Sequence, residues 1–186
     1  YFVNKESASM FGDWIPSTEF VLPPPKRLGK HSLVFICSHG GNTKETVEAA
    51  DTATEAGAFV ITYTSDETSK CASDKYHAIV YKWVDETLQK DKPMCITYAI
   101  LNDLIHRQEP EYKLYDVMKD GIIKCDGIIR KAMKKYQNKA WNFAEHYYNA
   151  PFLYIMSSGA AYAQCYGFAI CSLQEMQWMD CCYLNS

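Results

Sequence analysis

The stretch Cys37-Ser38-His39-Gly40-Gly41-Asn42-Thr43-Lys44-Glu45-Thr46 decides the fold of this chain, because of what precedes and follows it. The apolar run Leu33-Val34-Phe35-Ile36 comes directly before it and predicts a buried β-strand. In residues 47–57, apolar and small residues recur at steps of three or four, which predicts a helix. Residues 58–64 predict a second strand. A strand, a turn, a helix and a strand form a βαβ unit, which implies a parallel sheet with a right-handed crossover.

The turn in this unit has the composition of an anion site. Ser38, Thr43 and Thr46 supply hydroxyl groups, and Gly40-Gly41 allows the backbone to bend sharply and to approach a ligand. A helix that begins near Asn42 or Thr43 points its free N–H groups and the positive end of its dipole into the loop. The alternative is a turn without a ligand, in which Asn42 or Thr43 only caps the helix, and spacing leaves both open. The turn is neither a Walker loop nor a Gly-x-Gly-x-x-Gly dinucleotide fingerprint.

Composition argues against several classes of function. The chain has 186 residues, of which 48% are hydrophobic and 22% charged, and its formal net charge is −3. These values are ordinary for a globular protein, and the mild acidity gives no electrostatic footprint for nucleic acid or an anionic membrane. No transmembrane run or secretory signal is recognisable. The eight cysteines include no Cys-x-x-Cys pair, which favours free thiols in a reducing cytoplasm.

Further strands and helices alternate along the chain. Residues 78–82 predict a strand, Pro93 begins a helix that runs to His106, and Gln108-Glu109-Pro110-Glu111 predicts a linker. A long helix is expected over 115–147, with Gly121 and Gly127 as positions where it could break or bend.

The last part of the chain repeats the plan of the first βαβ unit. A buried strand is predicted for Phe152-Leu153-Tyr154-Ile155-Met156, followed by the turn Ser157-Ser158-Gly159 and a helix of small residues that reaches Met176. This repetition indicates a duplicated α/β architecture. Ser157 and Ser158 either cap that helix or contact a ligand, because open α/β sheets bind ligands at the carboxyl ends of their strands.

Glu175 is the one carboxylate that stands out as a candidate acid or base. It lies in Glu175-Met176-Gln177-Trp178, late on an otherwise apolar helix. It must therefore be exposed at the helix end, hydrogen-bonded, or held in a cleft where its pKa rises as proton transfer requires. Of the five histidines only His39 lies in a plausible site, and no Gly-x-Ser-x-Gly or His-Glu-x-x-His motif occurs.

Three motifs together resemble one family. They are Ser-His-x-Gly-Asn-Thr-x-Glu-Thr in the first turn, Ser-Gly-x-x-Tyr at the second turn, and Glu-Met-Gln-Trp. This combination resembles the SIS (sugar isomerase) family, and within it the bacterial deglycases of Amadori products. The resemblance implies an α/β fold with a doubly wound parallel sheet in three αβα layers. It places a first lobe at 1–109, without its first strand and loop, and connecting helices with the start of a second lobe at 110–186. Ser17-Thr18-Glu19-Phe20 is expected at the end of a strand, with Glu19 solvated.

The resemblance also implies a reaction and a site. The substrate is a 6-phosphorylated Amadori product, which is cleaved to a hexose 6-phosphate and an amine without metal or redox cofactor. The implied phosphate ligands are Ser38, His39, Gly40, Gly41, Asn42 and Thr43, although Gly40 stands where the family often has a hydroxyl. Ser157, Ser158 and Gly159 are the expected second binding loop, and Glu175 is the candidate catalytic carboxylate of the cleft.

Other implications concern assembly and completeness. The family's catalytic Glu and His are expected beyond Ser186, so the chain is expected to be part of a longer enzyme. A homodimer in the cytoplasm is expected, with no nucleic-acid or membrane partner. The alternatives are another SIS isomerase activity, like that of glucosamine-6-phosphate synthase, a phosphosugar sensor that does not catalyse, and an inactive fragment.

Overall fold

The computed structural model describes residues 1–185, which form two compact units. One unit consists of Asp13–Arg107 and Lys113–Asp126, and we call it the loop unit because it contains the first turn. The other consists of Tyr1–Gly12, Gln108–Tyr112 and Gly127–Ser186, and we call it the terminal unit. The lobe limits expected from the resemblance, 1–109 and 110–186, remain a prediction.

The secondary structure is as follows. The α-helices are α1 Phe2–Glu6, α2 Ser17–Val21, α3 Lys44–Glu55, α4 Pro93–Gln108, α5 Tyr115–Tyr147 and α6 Tyr162–Gly167. The strands are β1 Leu33–Cys37, β2 Phe59–Thr64, β3 His77–Val80, β4 Leu153–Ser157 and β5 Cys181–Asn185. Short 3₁₀ turns cover Lys70–Ala72, Gln89–Asp91 and Gly159–Ala161, and a π-helix covers Phe168–Glu175.

The loop unit contains a parallel sheet of order β1-β2-β3. Leu33 pairs with Phe59 and Ile61 with His77, and α3 forms the crossover between β1 and β2. The predicted βαβ unit is therefore confirmed, and the predicted third strand and fourth helix are present.

Helices cover both faces of this sheet, and successive residues of each strand point to opposite faces. Ile36 and Val60 point to one face and pack with Ala49, Ala50 and Ala53, the small residues of α3. On the other face, Ile61, Tyr63 and Tyr81 are buried, with Ile96 and Ile100 of α4 packed against them. Helices on both faces of a parallel sheet give the three-layer αβα arrangement that the resemblance implied.

The terminal unit contains a second parallel pair of strands, in which Leu153 of β4 pairs with Cys181 of β5. Ala169, Leu173 and Cys181 form its buried cluster. The strand, turn and helix predicted here are confirmed, but the strand is only half buried. Tyr154 is 70% exposed and Met156 62%, because the pleat alternates and the helix covers one face of β4.

The long helix predicted over 115–147 is confirmed as α5, which is continuous over 33 residues, so neither Gly121 nor Gly127 breaks it. One local expectation was wrong. Ser17-Thr18-Glu19-Phe20 is not a strand end but most of α2, whose helical turn buries Phe20 in the core of the loop unit and leaves Glu19 exposed. Within residues 1–185, no helix combines the length and apolarity needed to cross a lipid bilayer.

Candidate functional site

The loop that joins β1 to α3 is held in a sharp turn by its own backbone. The N–H of Gly41 donates to both the carbonyl and the Oγ of Ser38, each at 3.1 Å. Gly41 has a φ of +65°, and a Cβ on it would lie 2.5 Å from Thr64 Oγ1 and would overlap the Ser69 side chain. The turn therefore requires glycine at position 41 for both its conformation and its close approach to a neighbouring loop.

The hydroxyls of Ser38 and Thr43 converge in this loop, with Ser38 Oγ 3.4 Å from Thr43 Oγ1. Ser38 Oγ accepts the Gly41 N–H, so its own proton remains available to donate. Thr43 occupies the N-cap position of α3, but its side chain makes no capping hydrogen bond and is exposed. The capping hydrogen bond that the alternative interpretation needs is thus absent among the described residues.

The amino end of α3 adds donors to these hydroxyls. The first N–H groups of a helix have no carbonyl of their own helix to bond, and they carry the positive end of the dipole. Gly40, the adjacent loop residue, faces open space, since a Cβ on it would meet nothing within 4 Å. Two hydroxyls, a helix N-terminus and an open approach are what binding of an oxyanion requires.

The side chain of Asn42 stabilises the loop between β1 and α3 with two hydrogen bonds. Its Nδ2 donates to the Gly40 carbonyl at 3.1 Å, and its Oδ1 accepts the Lys70 N–H at 3.1 Å. The Cys71 N–H donates to the Gly41 carbonyl at 3.0 Å. These contacts tie the loop to the 3₁₀ turn after β2.

His39 connects the carboxyl ends of the three strands. Its Nδ1 lies 2.9 Å from Tyr81 Oη, directly after β3, and its Nε2 lies 3.4 Å from Ser65 Oγ, directly after β2. Burial raises the pKa of Tyr81, so its phenol stays protonated at neutral pH and can donate to Nδ1. Both ring nitrogens have partners, so His39 would have to leave one of them to contact a phosphate.

The sequence indicated Tyr81 only as a residue of a predicted strand and not as a candidate site residue. A tyrosine directly after a predicted strand of a parallel sheet is a signal that could have drawn attention to it, because such strand ends meet at one edge.

The second predicted loop, Ser157-Ser158-Gly159, lies in the terminal unit. Ser157 Oγ is buried and has no hydrogen-bond partner within residues 1–185, and Ser158 makes no capping hydrogen bond with its side chain. Gly159 has a φ of +60°, and a Cβ there would lie 3.3 Å from Tyr1 Oη. Neither serine therefore acts as a side-chain cap in the part of the chain described.

Glu175 is the last residue of the π-helix, in the terminal unit, and is exposed. Shortly after it, Trp178 adopts a φ of 54° and is 90% exposed. A left-handed conformation is costly for a bulky residue, and π-helices are rare. Both features are found preferentially at functional sites, and neither is readable from sequence.

Comparison with known proteins places these observations in context. The chain is 34% identical over 179 residues to fructosamine deglycase FrlB of Bacillus subtilis, covering 96% of this chain and 54% of that protein. No family model matches.

Two solved structures have closely similar folds. A candidate phosphosugar isomerase of Bacillus subtilis matches with a TM-score of 0.90 and 32% identity, over 98% of this chain and 56% of the other. A candidate phosphosugar isomerase of Salmonella typhimurium matches with a TM-score of 0.91 and 30% identity, over 99% and 56%. The chain thus spans about half the length of these relatives.

Proposed function

This chain is an SIS-type (sugar isomerase) protein by sequence and by fold, and from that premise we propose that it acts on a phosphosugar. The proposed reaction is the cleavage of a 6-phosphorylated Amadori product to a hexose 6-phosphate and an amine. Support comes from the similarity to a fructosamine deglycase and to candidate phosphosugar isomerases.

One observation carries the proposal, namely the Ser38 and Thr43 hydroxyls 3.4 Å apart beside the amino end of α3. Both hydroxyls can donate to oxygens of one phosphate group, and the helix dipole favours its negative charge. The N–H of Gly41 orients the Ser38 hydroxyl by donating to its oxygen.

The chemistry proposed needs proton transfer and water. A base removes a proton from C1 of the 1-amino-1-deoxyketose while the C2 carbonyl oxygen gains one, giving an enaminol. Protonation at C2 then gives an imine at C1, and water hydrolyses it to the aldehyde and the free amine. We assign Glu175 as the candidate carboxylate for one of these transfers, since a carboxylate can serve as acid or base.

We also propose that two copies of the chain pair and that the enzyme works in the cytoplasm. Exposed aromatic side chains in the terminal unit support pairing, because large apolar side chains at a surface favour protein contacts. They are Trp141, Tyr147 and Tyr148.

The phosphate site is tested by Thr43→Val. Losing a hydrogen bond to a charged group should weaken binding of glucose 6-phosphate by about 10- to 100-fold, measured by isothermal titration calorimetry. Thr52→Val, on the same helix but two turns away from the loop, is the matched control and should bind as the wild type does. Unchanged affinity in Thr43→Val would contradict the phosphate site.

The catalytic proposal is tested by release of glucose 6-phosphate from an Amadori 6-phosphate. Glu175→Gln should lower the turnover number and leave the affinity for glucose 6-phosphate unchanged, because it alters proton transfer and not the phosphate loop. Ligand binding without turnover for every amine tested would instead identify a phosphosugar sensor.

A further inference from the structure

The two ring nitrogens of His39 differ in how firmly they are held. Nδ1 lies 2.9 Å from Tyr81 Oη in a partly buried contact, whereas Nε2 lies 3.4 Å from Ser65 Oγ in an exposed one. An N–H···O hydrogen bond is usually about 2.7–3.2 Å long, so the contact with Ser65 is weak. Nε2 is therefore the nitrogen that can exchange its partner for a ligand.

The serine contact also indicates where the hydrogen of the neutral ring lies. Ser65 Oγ lies 2.9 Å from the carbonyl oxygen of His39, and a carbonyl only accepts, so the Ser65 hydroxyl donates its one hydrogen there. Toward Nε2 the same hydroxyl can then only accept. A hydrogen bond between them requires the hydrogen on Nε2, which leaves Nδ1 as an acceptor.

Tyr81 completes this pattern on the other side of the ring. Its phenol must donate to such an Nδ1, and burial, with a smaller contribution from Cys37, raises the pKa of Tyr81 and keeps the phenol protonated. The Tyr81 ring is itself buried in the core of the loop unit with Ile61 and Tyr63. Its hydroxyl is thus fixed in position by packing, and it orients the imidazole of His39.

Trp83 limits the remaining freedom of the His39 ring. The centres of the two rings are 6.0 Å apart at an interplanar angle of 79°, an edge-to-face arrangement. Trp83 packs edge-on against Tyr81 as well, again with ring centres 6.0 Å apart. Lys92 Nζ lies 4.6 Å from the centre of the Trp83 ring and holds that ring in turn. The imidazole is therefore held in one orientation by neighbours on two sides.

We propose that Tyr81 is a positioning residue of the candidate site, which keeps the hydrogen of the His39 ring on Nε2 and so makes His39 a hydrogen-bond donor to an oxygen of the ligand. The proposal rests on the phosphosugar function proposed above. His39 is adjacent to Ser38, and open parallel sheets bind ligands at the carboxyl ends of their strands, where Tyr81 and Ser65 also lie.

The exchange of partners at Nε2 follows from the strengths of the two acceptors. A negatively charged phosphate oxygen forms a shorter and stronger hydrogen bond with an N–H than a hydroxyl does, so it replaces Ser65 Oγ. Without the Tyr81 hydroxyl, nothing keeps the hydrogen on Nε2. In part of the molecules the lone pair of Nε2 would then face the negative oxygen and repel it.

Nitrogen-15 NMR of the whole chain tests the tautomer, at about pH 8, above the ordinary titration range of histidine. The wild-type signals of His39, assigned by their loss in His39→Gln, should show a hydrogen on Nε2 and none on Nδ1. Tyr81→Phe should show both tautomers, because only the donor to Nδ1 is removed. Glucose 6-phosphate should shift the Nε2 signal of the wild type. A hydrogen on Nδ1 in the wild type, or an Nε2 signal that the ligand leaves unchanged, would overturn the proposal.

Isothermal titration calorimetry tests whether Tyr81 acts through His39. Tyr81→Phe should weaken binding of glucose 6-phosphate by about 3- to 10-fold, the net contribution of one hydrogen bond. In the His39→Gln background the same change should have no further effect, because residues that act as one unit are not additive. An equal loss in both backgrounds would show a structural role that does not involve His39.

Tyr76→Phe is the matched control. Tyr76 is also a buried tyrosine of the loop unit, and its hydroxyl donates to Asp51 Oδ1 at 2.7 Å. This variant loses a comparable hydrogen bond, yet it should keep the wild-type tautomer of His39 and the wild-type affinity for glucose 6-phosphate. A loss of affinity as large as that of Tyr81→Phe would trace the effect to stability and contradict the positioning role.

The outcomes separate the two proposals. If glucose 6-phosphate does not bind the wild type, the phosphosugar function fails and the ligand contact of His39 falls with it. If glucose 6-phosphate binds the wild type and Tyr81→Phe equally well, only the positioning role of Tyr81 is overturned.

Discussion

Gly40 and Gly41 are adjacent in the loop between β1 and α3, yet only one of them needs to be glycine. Gly41 has a φ of +65° and a Cβ on it would overlap Thr64 and Ser69, whereas a Cβ on Gly40 would lie in open space. Gly41→Ala should lower the free energy of unfolding by about 1–3 kcal/mol, through strain and overlap. Gly40→Ala is the matched control and should change it by less than about 1 kcal/mol. Urea denaturation of both variants measures the difference, and an equal effect of the two would contradict the described turn.

At the scale of elements, α5 shows how a helix tolerates glycine. It is continuous over 33 residues although it contains Gly121 and Gly127, and a Cβ at either position would meet nothing within 4 Å. Gly127→Ala should therefore raise the free energy of unfolding by about 0.4–1 kcal/mol, because alanine loses less backbone entropy in a helix. Thermal unfolding followed by circular dichroism measures this. A destabilised variant would show that the position needs glycine for another reason.

At the scale of the whole molecule, Glu109 joins two distant segments of the terminal unit. Its Oε1 accepts hydrogen bonds from Ser7 Oγ, from Ser9 Oγ at 2.6 Å and from the Ala8 N–H at 3.1 Å. These donors lower the pKa of Glu109 to about 2, with the Ser7 hydroxyl contributing most. The carboxylate thus fastens the N-terminal segment to the linker that follows α4.

The lowered pKa predicts the sign of a pH effect. In the unfolded chain a Glu titrates at about 4.3, so the stabilisation is complete above that pH and is lost as the pH falls toward the folded value of about 2. Glu109→Gln should be less stable than the wild type at pH 6, and the difference should shrink between pH 5 and pH 2. Urea denaturation across this range tests it, with Glu111→Gln as the control. A difference that does not vary with pH would contradict this role.

Much of the fold could be predicted from local patterns. The apolar run before Ser38, the glycine turn and the helical period from residue 47 each depend on neighbours within a few positions, and the βαβ unit follows from their order. The wrong expectation concerns a contact that is distant in sequence. Residues 17–20 form a helix because Phe20 packs in the core formed by β1, β2 and α3, and no local pattern encodes that.

The residues of the candidate site, too, could be predicted only in part from local patterns. The types and order of Ser38, Gly41 and Thr43 indicated an anion loop, since hydroxyls and glycine before a helix have this property in any context. The contact of His39 with Tyr81 and the left-handed Trp178 could not be foreseen, because they arise from chain segments that meet in space or from backbone strain.

The amino-acid sequence by itself determined the parallel α/β plan and the place of its hydroxyl-rich loop, because hydrophobic period, glycine and helix-capping residues act over short stretches of chain. Only the tertiary structure decided which groups of that loop are available. It left the Thr43 side chain exposed and without a capping hydrogen bond, and it gave both ring nitrogens of His39 a partner. The physical reason is that availability and shape depend on packing between segments far apart in the chain, where the burial of one group determines the exposure of another.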